Sequence, residues 1–494
     1  MQKNVSVKLN HGQFRDKVRA CWLGKNIGGT IGAPYEGTHD VLDIKGFATE
    51  AGAPLPNDDL DLQLVWLHAV EQIGVRDVNC MTLGEFWLSY IPPHWNEYGI
   101  GKVNMKRGLL PPLSGDYQNY WKHSNGAWIR TEVWACLFPA CPVLASNYSM
   151  EDAKVDHGSG EGTYAAAFVA AMQSAAFAIP DLRRCIEIGL ARIPSDCRVA
   201  DSVRFVMDCY DRKLPATDVR NAIQQRNADI GDGWFESPSN VAYAVLGLLY
   251  GEGDFKKSMI TAVNCGDDTD CTAATVGATF GILNGTAALP TDWCQHIGDE
   301  IVTVSLDRGS IGQCFPRSCT ELTDRVVAQT PHALFAKHAT ACLYDGEDQI
   351  PEDIYEKMLA DCKGNVAHVA PHSMRFDFTV LSADVVLESE PDIAPNGECR
   401  VHLTCTNNWE IYDKAQYNLT IRCLVPDGFS VEYEKQTLRM DRYSRTHPTM
   451  YPPTAVTSFT IRAGETVAPV NRCILEIIAD GRPTPMYIPI TLLG

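Results

Sequence analysis

Two short acidic segments carry the residues of this chain best suited to chemistry. Pro56-Asn57-Asp58-Asp59-Leu60-Asp61 precedes an apolar run, and Asn264-Cys265-Gly266-Asp267-Asp268-Thr269-Asp270-Cys271-Thr272 precedes a run of small residues. Each reads as a helix start: Asn57 can cap the first, and carboxylates in a first turn meet the positive end of the helix dipole. The run after the first segment is apolar nearly all round, through Leu62, Leu64, Val65, Trp66, Leu67 and Val70, so its helix is predicted to be buried. Several negative charges at the start of a buried helix are costly unless something positive sits among them. A divalent cation meets that need. Asp268 and Asp270, with a hydroxyl between them, are spaced so that two oxygens can face one ion, and oxygen donors favour Mg2+, Ca2+ or Mn2+ over zinc. Plain helix capping stands as the competing account of each segment.

The elements that must position these residues are mostly helices. From Phe14 to about Lys337 the chain alternates apolar-periodic runs with Pro, Gly and Asn loops; the best runs are 60–70, 164–178, 240–250 and 271–283. Gly24, Gly28 and Gly32 recur every four residues, as do Ala273, Gly277 and Gly281, and on a helix each set makes a smooth stripe that a neighbouring backbone can approach closely. From about Arg375 the period drops to two, as in Arg400-Val401-His402-Leu403 and Asn418-Leu419-Thr420-Ile421, with turn signals at Pro426-Asp427-Gly428 and Ala479-Asp480-Gly481. The expected organisation is a mainly α fold, with a helical domain over residues 1–338, a connecting segment over 339–371 and an immunoglobulin-like β-sandwich over 372–494. No internal repeat or low-complexity tract interrupts it.

Composition narrows the classes. With 494 residues, 45% of them hydrophobic, the chain can bury a large core. Its 42 Lys and Arg against 61 Asp and Glu leave a formal charge of −19, which repels nucleic acid and anionic membranes, so neither is an expected partner. No stretch approaches the roughly 20 apolar residues of a membrane span and the first residues lack a signal-peptide core, so the expected location is the cytoplasm. The 18 cysteines are scattered without a C-x-x-C pair, and free buried thiols account for them. No HExxH or H-x-H cluster exists among the 13 histidines.

Taken in order, several motifs resemble those of the ADP-ribosylglycohydrolase family. Ile31-Gly32-Ala33-Pro34-Tyr35-Glu36-Gly37 is similar to that family's opening Gly-Asp-Ala-Leu-Gly-Ala-Pro-x-Glu, Asn57-Asp58-Asp59 to its Thr-Asp-Asp, and Gly266-Asp267-Asp268-Thr269-Asp270 to its Gly-Gly-Asp-Thr-Asp-Thr. Between them, Asn125-Gly126-Ala127-Trp128-Ile129-Arg130 resembles an Asn-Gly-x-x-Met-Arg loop, and Val155-Asp156-His157 with Glu161-Gly162 resembles a Thr-His helix start. The likeness spans about 300 residues and stops before the sandwich. It implies an orthogonal helical bundle whose central cleft holds two Mg2+ or Mn2+ ions. Asp58, Asp59, Asp268 and Asp270 are then the principal ligands, with Asn57 and Cys271 at positions where the family has a hydroxyl. Glu36 takes the place of the acid/base glutamate, and Asp59 and Asp268 join it as catalytic residues. Asn125, Gly126, Trp128, Arg130 and His157 become candidates for substrate contact.

The resemblance implies a metal-dependent glycohydrolase acting on an ADP-ribosyl or related ribosyl-like group, small-molecule or protein-linked. Two departures bear on it. Cysteine is a soft donor that suits Mg2+ poorly. Ser124 and bulky Trp128 replace the small residues with which the family cradles a diphosphate, which favours a smaller furanoside as an alternative substrate. A non-catalytic, crystallin-like binding protein is the remaining alternative; retention of Glu36 and four aspartates weighs against it. Gly24-Lys25-Asn26-Ile27-Gly28-Gly29 lacks Walker spacing and reads as helix packing. Trp128, Arg130 and His157 each admit a structural role, and Asp232-Gly233-Trp234-Phe235-Glu236 reads equally as cleft lining or as packing loop. A homodimer is compatible with the pattern.

Overall fold

The computed structural model describes residues 6–306, 314–407, 417–440 and 454–494. The chain divides into two compact units, one of residues 1–100 and 119–368 and one of residues 101–118 and 369–494.

The first unit is helical. Three of its four anticipated long runs lie within the helices Asp58–Ile73, Ser237–Tyr250 and Thr269–Asn284, and the fourth, 164–178, runs two residues past the end of Glu161–Ala176. The unit is organised around an unusually close helix pair, His11–Gly32 against Thr269–Asn284. A Cβ added at Gly28 would lie 2.3 Å from the backbone of Ala273, and one added at Gly32 would lie 2.4 Å from the Cα of Asp270. Only a residue without a side chain permits backbone-to-backbone contact at such distances. The two small-residue stripes are therefore the two faces of one interface, and the contact ends beside Asp270. Lys25 lies inside the first of these helices, fully buried, and its amine bonds Glu132 at 3.2 Å.

The stretch anticipated as a connector over 339–371 belongs largely to the helical unit. Strand Ala341–Tyr344 pairs in parallel with Val7–Asn10, and helix Ile354–Gly364 buries Ile354, Met358 and Cys362. The Ala367 amide then donates to the Arg192 carbonyl at 2.7 Å. Apolar side chains at these positions give the segment a core to join, so it does not run free.

The second unit is the anticipated β-sandwich, with antiparallel sheets of five and four strands among the described residues. The longest strands, Glu398–Asn407 and Val470–Ala479, alternate buried and solvent-facing residues, the pattern of a sheet with one covered face. The departure from expectation is residues 101–118, which were assigned to the helical domain. Leu109, Leu113 and Tyr117 are each at most 2% exposed and share the core of Leu403, Ile421 and Ile477. The Thr491 hydroxyl donates to the Gly108 carbonyl at 2.8 Å, and the Tyr117 hydroxyl donates to Asp392 at 2.6 Å. At roughly 1.5–3 kcal/mol for each fully buried large apolar side chain, this short insert is an integral part of the sandwich. No disulfide links the cysteines among the described residues. Among the described residues no helix is long and apolar enough to cross a membrane.

Candidate metal centre and cleft

The helix pair described above delivers two ends to one place. Just past the C-terminus of His11–Gly32, the short turn Ala33–Tyr35 leads to Glu36 at the exposed mouth of a cleft. At the start of Thr269–Asn284, a sharp turn with Asp267 at φ 65° brings Asp268 and Asp270 to the same point. Aspartate tolerates this left-handed conformation better than most residues. Asp267 itself turns away: its carboxylate accepts from the Phe235 amide at 3.0 Å and from Asn240 Nδ2 at 2.8 Å, which anchors the turn. The helix Asp58–Ile73 supplies the other half, with Asp59 wholly buried and Asp58 partly so.

One donor atom each from Asp59, Asp270 and Cys271 lie within 4.8 Å of one another, and so do one each from Glu36, Asp268 and Asp270. Asp270 joins the two sets. Four of these carboxylate oxygens, both of Asp59 and Oδ1 of Asp268 and of Asp270, are buried without a hydrogen-bond partner among the described residues. Buried carboxylate oxygens are otherwise almost always satisfied, so a cluster of orphans fits a site for a cation. The oxygens that are bonded are held in place by neutral groups: the Tyr98 hydroxyl donates to Asp58 at 3.2 Å, and Asn125 Nδ2 donates to Asp268 at 2.6 Å.

Crowding shows in the ionisation of the group. The charge of Asp270, then burial, pushes the Glu36 carboxyl up to about 8. Burial, then Asp270, raises Asp58 to about 6. Burial dominates at Asp59 and Asp268, which lie well above the usual carboxylate range. Behind the cluster stands Lys25. Burial works against its charge, but Glu132 and Asp59 outweigh that and raise its pKa, so the ammonium offsets part of the repulsion.

Asn57 is the cap of its helix: its Oδ1 accepts from the Asp59 amide at 2.8 Å, while its Nδ2 faces the position a Gly29 side chain would occupy. With that oxygen engaged, the unpartnered donors come from Asp59, Asp268 and Asp270. Asn125 and Gly126 line the cleft, together with Ser124 and Ile129. Trp128, Arg130 and His157 are fully buried behind the wall, so the aromatic face and the guanidinium proposed for substrate contact are engaged elsewhere. Trp128 Nε1 donates to Asn125 Oδ1 at 3.0 Å and so holds the amide that holds Asp268. Arg130 is committed to Asp152 at 2.9 Å and Asp156 at 2.8 Å, and lies over the Trp87 ring. His157 bridges Asp156, 2.9 Å from Nδ1, and the Ser124 hydroxyl, 3.2 Å from Nε2.

The sequence reading missed the stretch 94–98, from which His94, Trp95, Glu97 and Tyr98 line the same cleft of about 430 Å³. The only hint was an acidic and aromatic run directly after Pro92-Pro93. Of the 232–236 loop, Phe235 lines the cleft, while Trp234 stacks on His39 with ring centroids 3.7 Å apart.

A family model described as ADP-ribosylglycohydrolase matches residues 10–331. An uncharacterised protein of Archaeoglobus fulgidus is 24% identical over 301 residues, 58% of this chain and 93% of that protein. A solved structure described as an ADP-ribosylglycohydrolase-related protein complex aligns with a TM-score of 0.44 and 19% identity, over 65% of this chain and 99% of that one. A FixG-related protein from Vibrio parahaemolyticus aligns at a TM-score of 0.19 and 8% identity, covering 24% of this chain and 98% of that one.

Proposed function

This chain belongs to the ADP-ribosylglycohydrolase family, and from that premise we propose that it is a divalent-cation-dependent hydrolase of a glycosidic bond to a ribosyl-type sugar. The observation that supports this best is the set of unpartnered, buried carboxylate oxygens from two segments some two hundred residues apart. Asp58, Asp59, Asp268 and Asp270 would hold Mg2+ or Mn2+, one or two ions, whose charge would orient a sugar diol and would make water a better nucleophile.

The chain's own groups do the rest. Glu36 stands at the open side of the cluster and serves as the group that moves a proton between water and the departing aglycone. Tyr98 and Asn125 hold Asp58 and Asp268 in their orientations, and Trp128 holds Asn125. Such supporting contacts are worth roughly 10- to 100-fold in metal affinity or activity elsewhere. Ile129 and Phe235 give the cleft an apolar wall, and its volume suits a sugar with a modest aglycone.

Asp58→Asn and Asp268→Asn are expected to fold but to lose both divalent-ion binding, measured by equilibrium dialysis, and at least about 100-fold in turnover. Full activity after exhaustive chelation would sink the reading.

A second reading concerns the substrate. Among the described residues lining the cleft none is Lys or Arg, and the guanidinium of Arg130 is consumed by two buried aspartates. That favours a glycoside without a diphosphate over an ADP-ribosyl group. Release rates from ADP-ribosyl-arginine, ADP-ribosyl-serine and simple aryl furanosides separate the two, with the furanosides expected to be faster; preference for either ADP-ribosyl substrate would reject it.

A further inference from the structure

We propose that Cys271 is a thiolate ligand in this centre, so that the position it shares with Asp59 and Asp270 selects a borderline ion, Zn2+, Co2+ or Fe2+, over Mg2+. The inference rests on the cation reading above and, at this one position, replaces Mg2+ or Mn2+ by the ion the sulfur prefers.

Three observations carry it. Cys271 Sγ lies within 4.8 Å of a carboxylate oxygen of Asp59 and of one of Asp270, and those oxygens lie equally close to each other. Donors on one ion are separated by at most about twice a metal–ligand distance, roughly 4 to 4.5 Å for Zn–S near 2.3 Å and Zn–O near 2.0–2.2 Å. The three atoms therefore close on an ion with a shift of a few tenths of an ångström. Second, Asp59 is fully buried and neither of its oxygens has a partner among the described residues, so whichever of them faces Cys271 calls for a cation whatever the sulfur does. Third, Cys271 is not merely filling the core. It is 6% exposed and lines the cleft, whereas Cys265, six residues earlier, is buried beside no such cluster among the described residues and its thiol donates to the Thr261 carbonyl.

The chemistry follows from the donor set. Two carboxylates and one sulfur make a mixed hard and soft site, and thiolate in place of a hydroxyl weakens the hold on Mg2+ while strengthening it on ions later in the Irving–Williams order. Binding breaks the S–H bond, forms the S–metal bond and releases the proton to solvent. Burial and the neighbouring aspartates push the Cys271 thiol up, so the sulfur loses its proton only to a cation bound among them.

The test is spectroscopic and independent of turnover. The full-length protein, stripped by chelation, is titrated with Co2+ and its absorption recorded. The expected result is a near-ultraviolet sulfur-to-cobalt charge-transfer band alongside the visible d–d bands. In Cys271→Ser the d–d bands persist and the charge-transfer band is lost; in Cys265→Ser both remain. In competition dialysis the wild-type protein prefers Zn2+ to Mg2+ by a margin that narrows at least tenfold in Cys271→Ser. Co2+ bound to the wild-type protein with d–d bands and no charge-transfer band would overturn the proposal while leaving the cation reading standing, as would a charge-transfer band that survives in Cys271→Ser. Failure of Co2+, Mn2+ and Mg2+ alike to bind the wild-type protein would remove both. Because the wild-type spectrum alone decides the first outcome, the test does not depend on the variant folding.

Discussion

Glu36 and Asp58 ionise against their surroundings, and the sign of the effect is open to measurement. A carboxyl whose pKa is higher in the folded than in the unfolded chain makes the folded state bind its proton more tightly. The contribution of these two groups to stability is therefore greatest at low pH and is lost as pH rises from the ordinary carboxylate value near 4 through the folded values, about 6 for Asp58 and about 8 for Glu36. A bound cation removes the repulsion at its source. The stabilisation conferred by saturating Mn2+, read as the difference in Tm between loaded and chelated protein, is expected to grow steadily between pH 5 and pH 8; a difference independent of pH would contradict the crowding described here. Arg130 tests the wall behind the cleft. Replacing it with Gln strands Asp152 and Asp156 in the interior, a loss of about 3–5 kcal/mol by denaturant unfolding. Of the residues in this region, the aspartates were legible in the sequence because charge at the start of a buried helix demands an explanation. Trp128 and Arg130 were not, since their motif tells which residues are near the site and not which way each side chain turns.

At the scale of elements, the His11–Gly32 and Thr269–Asn284 pair is the frame on which the centre depends. Gly28→Ala forces a methyl group into the Ala273 backbone. Overpacking of this kind costs about 1–3 kcal/mol, and backbone offers less room to yield than a side chain does. Since Asp268 and Asp270 ride on the second helix, the same change is expected to weaken divalent-ion affinity more than tenfold by equilibrium dialysis. Gly46→Ala, with open space around it, is the control and should alter neither. Undiminished affinity in Gly28→Ala would show that the ligands are positioned independently of this contact. The two stripes were visible as four-residue repeats, and the partnership between them was not, because spacing along one helix says nothing about which other helix it meets. The 94–98 stretch escaped notice for a related reason: its aromatic residues acquire meaning only once Tyr98 is seen to reach Asp58.

For the molecule as a whole, the change of period near residue 375 marked the sandwich, because a sheet with one covered face leaves an alternation that can be read directly. The insert 101–118 was not legible: its short apolar stretch looks the same whether it packs on helices or on strands. A chain ending at residue 371 retains Leu109, Leu113 and Tyr117 without the core that covers them. Such a chain is expected to bind a hydrophobic dye and to associate by light scattering, whereas Leu113→Ala in the full-length protein should cost about 2–5 kcal/mol and act on the sandwich. A monomeric truncated chain that ignores the dye would show that the insert finds other cover.

That same insert has a temporal consequence. The segment leaves the ribosome about 250 residues before the strands that will shelter it. At roughly 5–20 residues per second, its apolar side chains stay uncovered for something like ten seconds to a minute of synthesis. Every nascent copy passes through this interval, which makes 101–118 a segment that a chaperone would have reason to cover before translation ends.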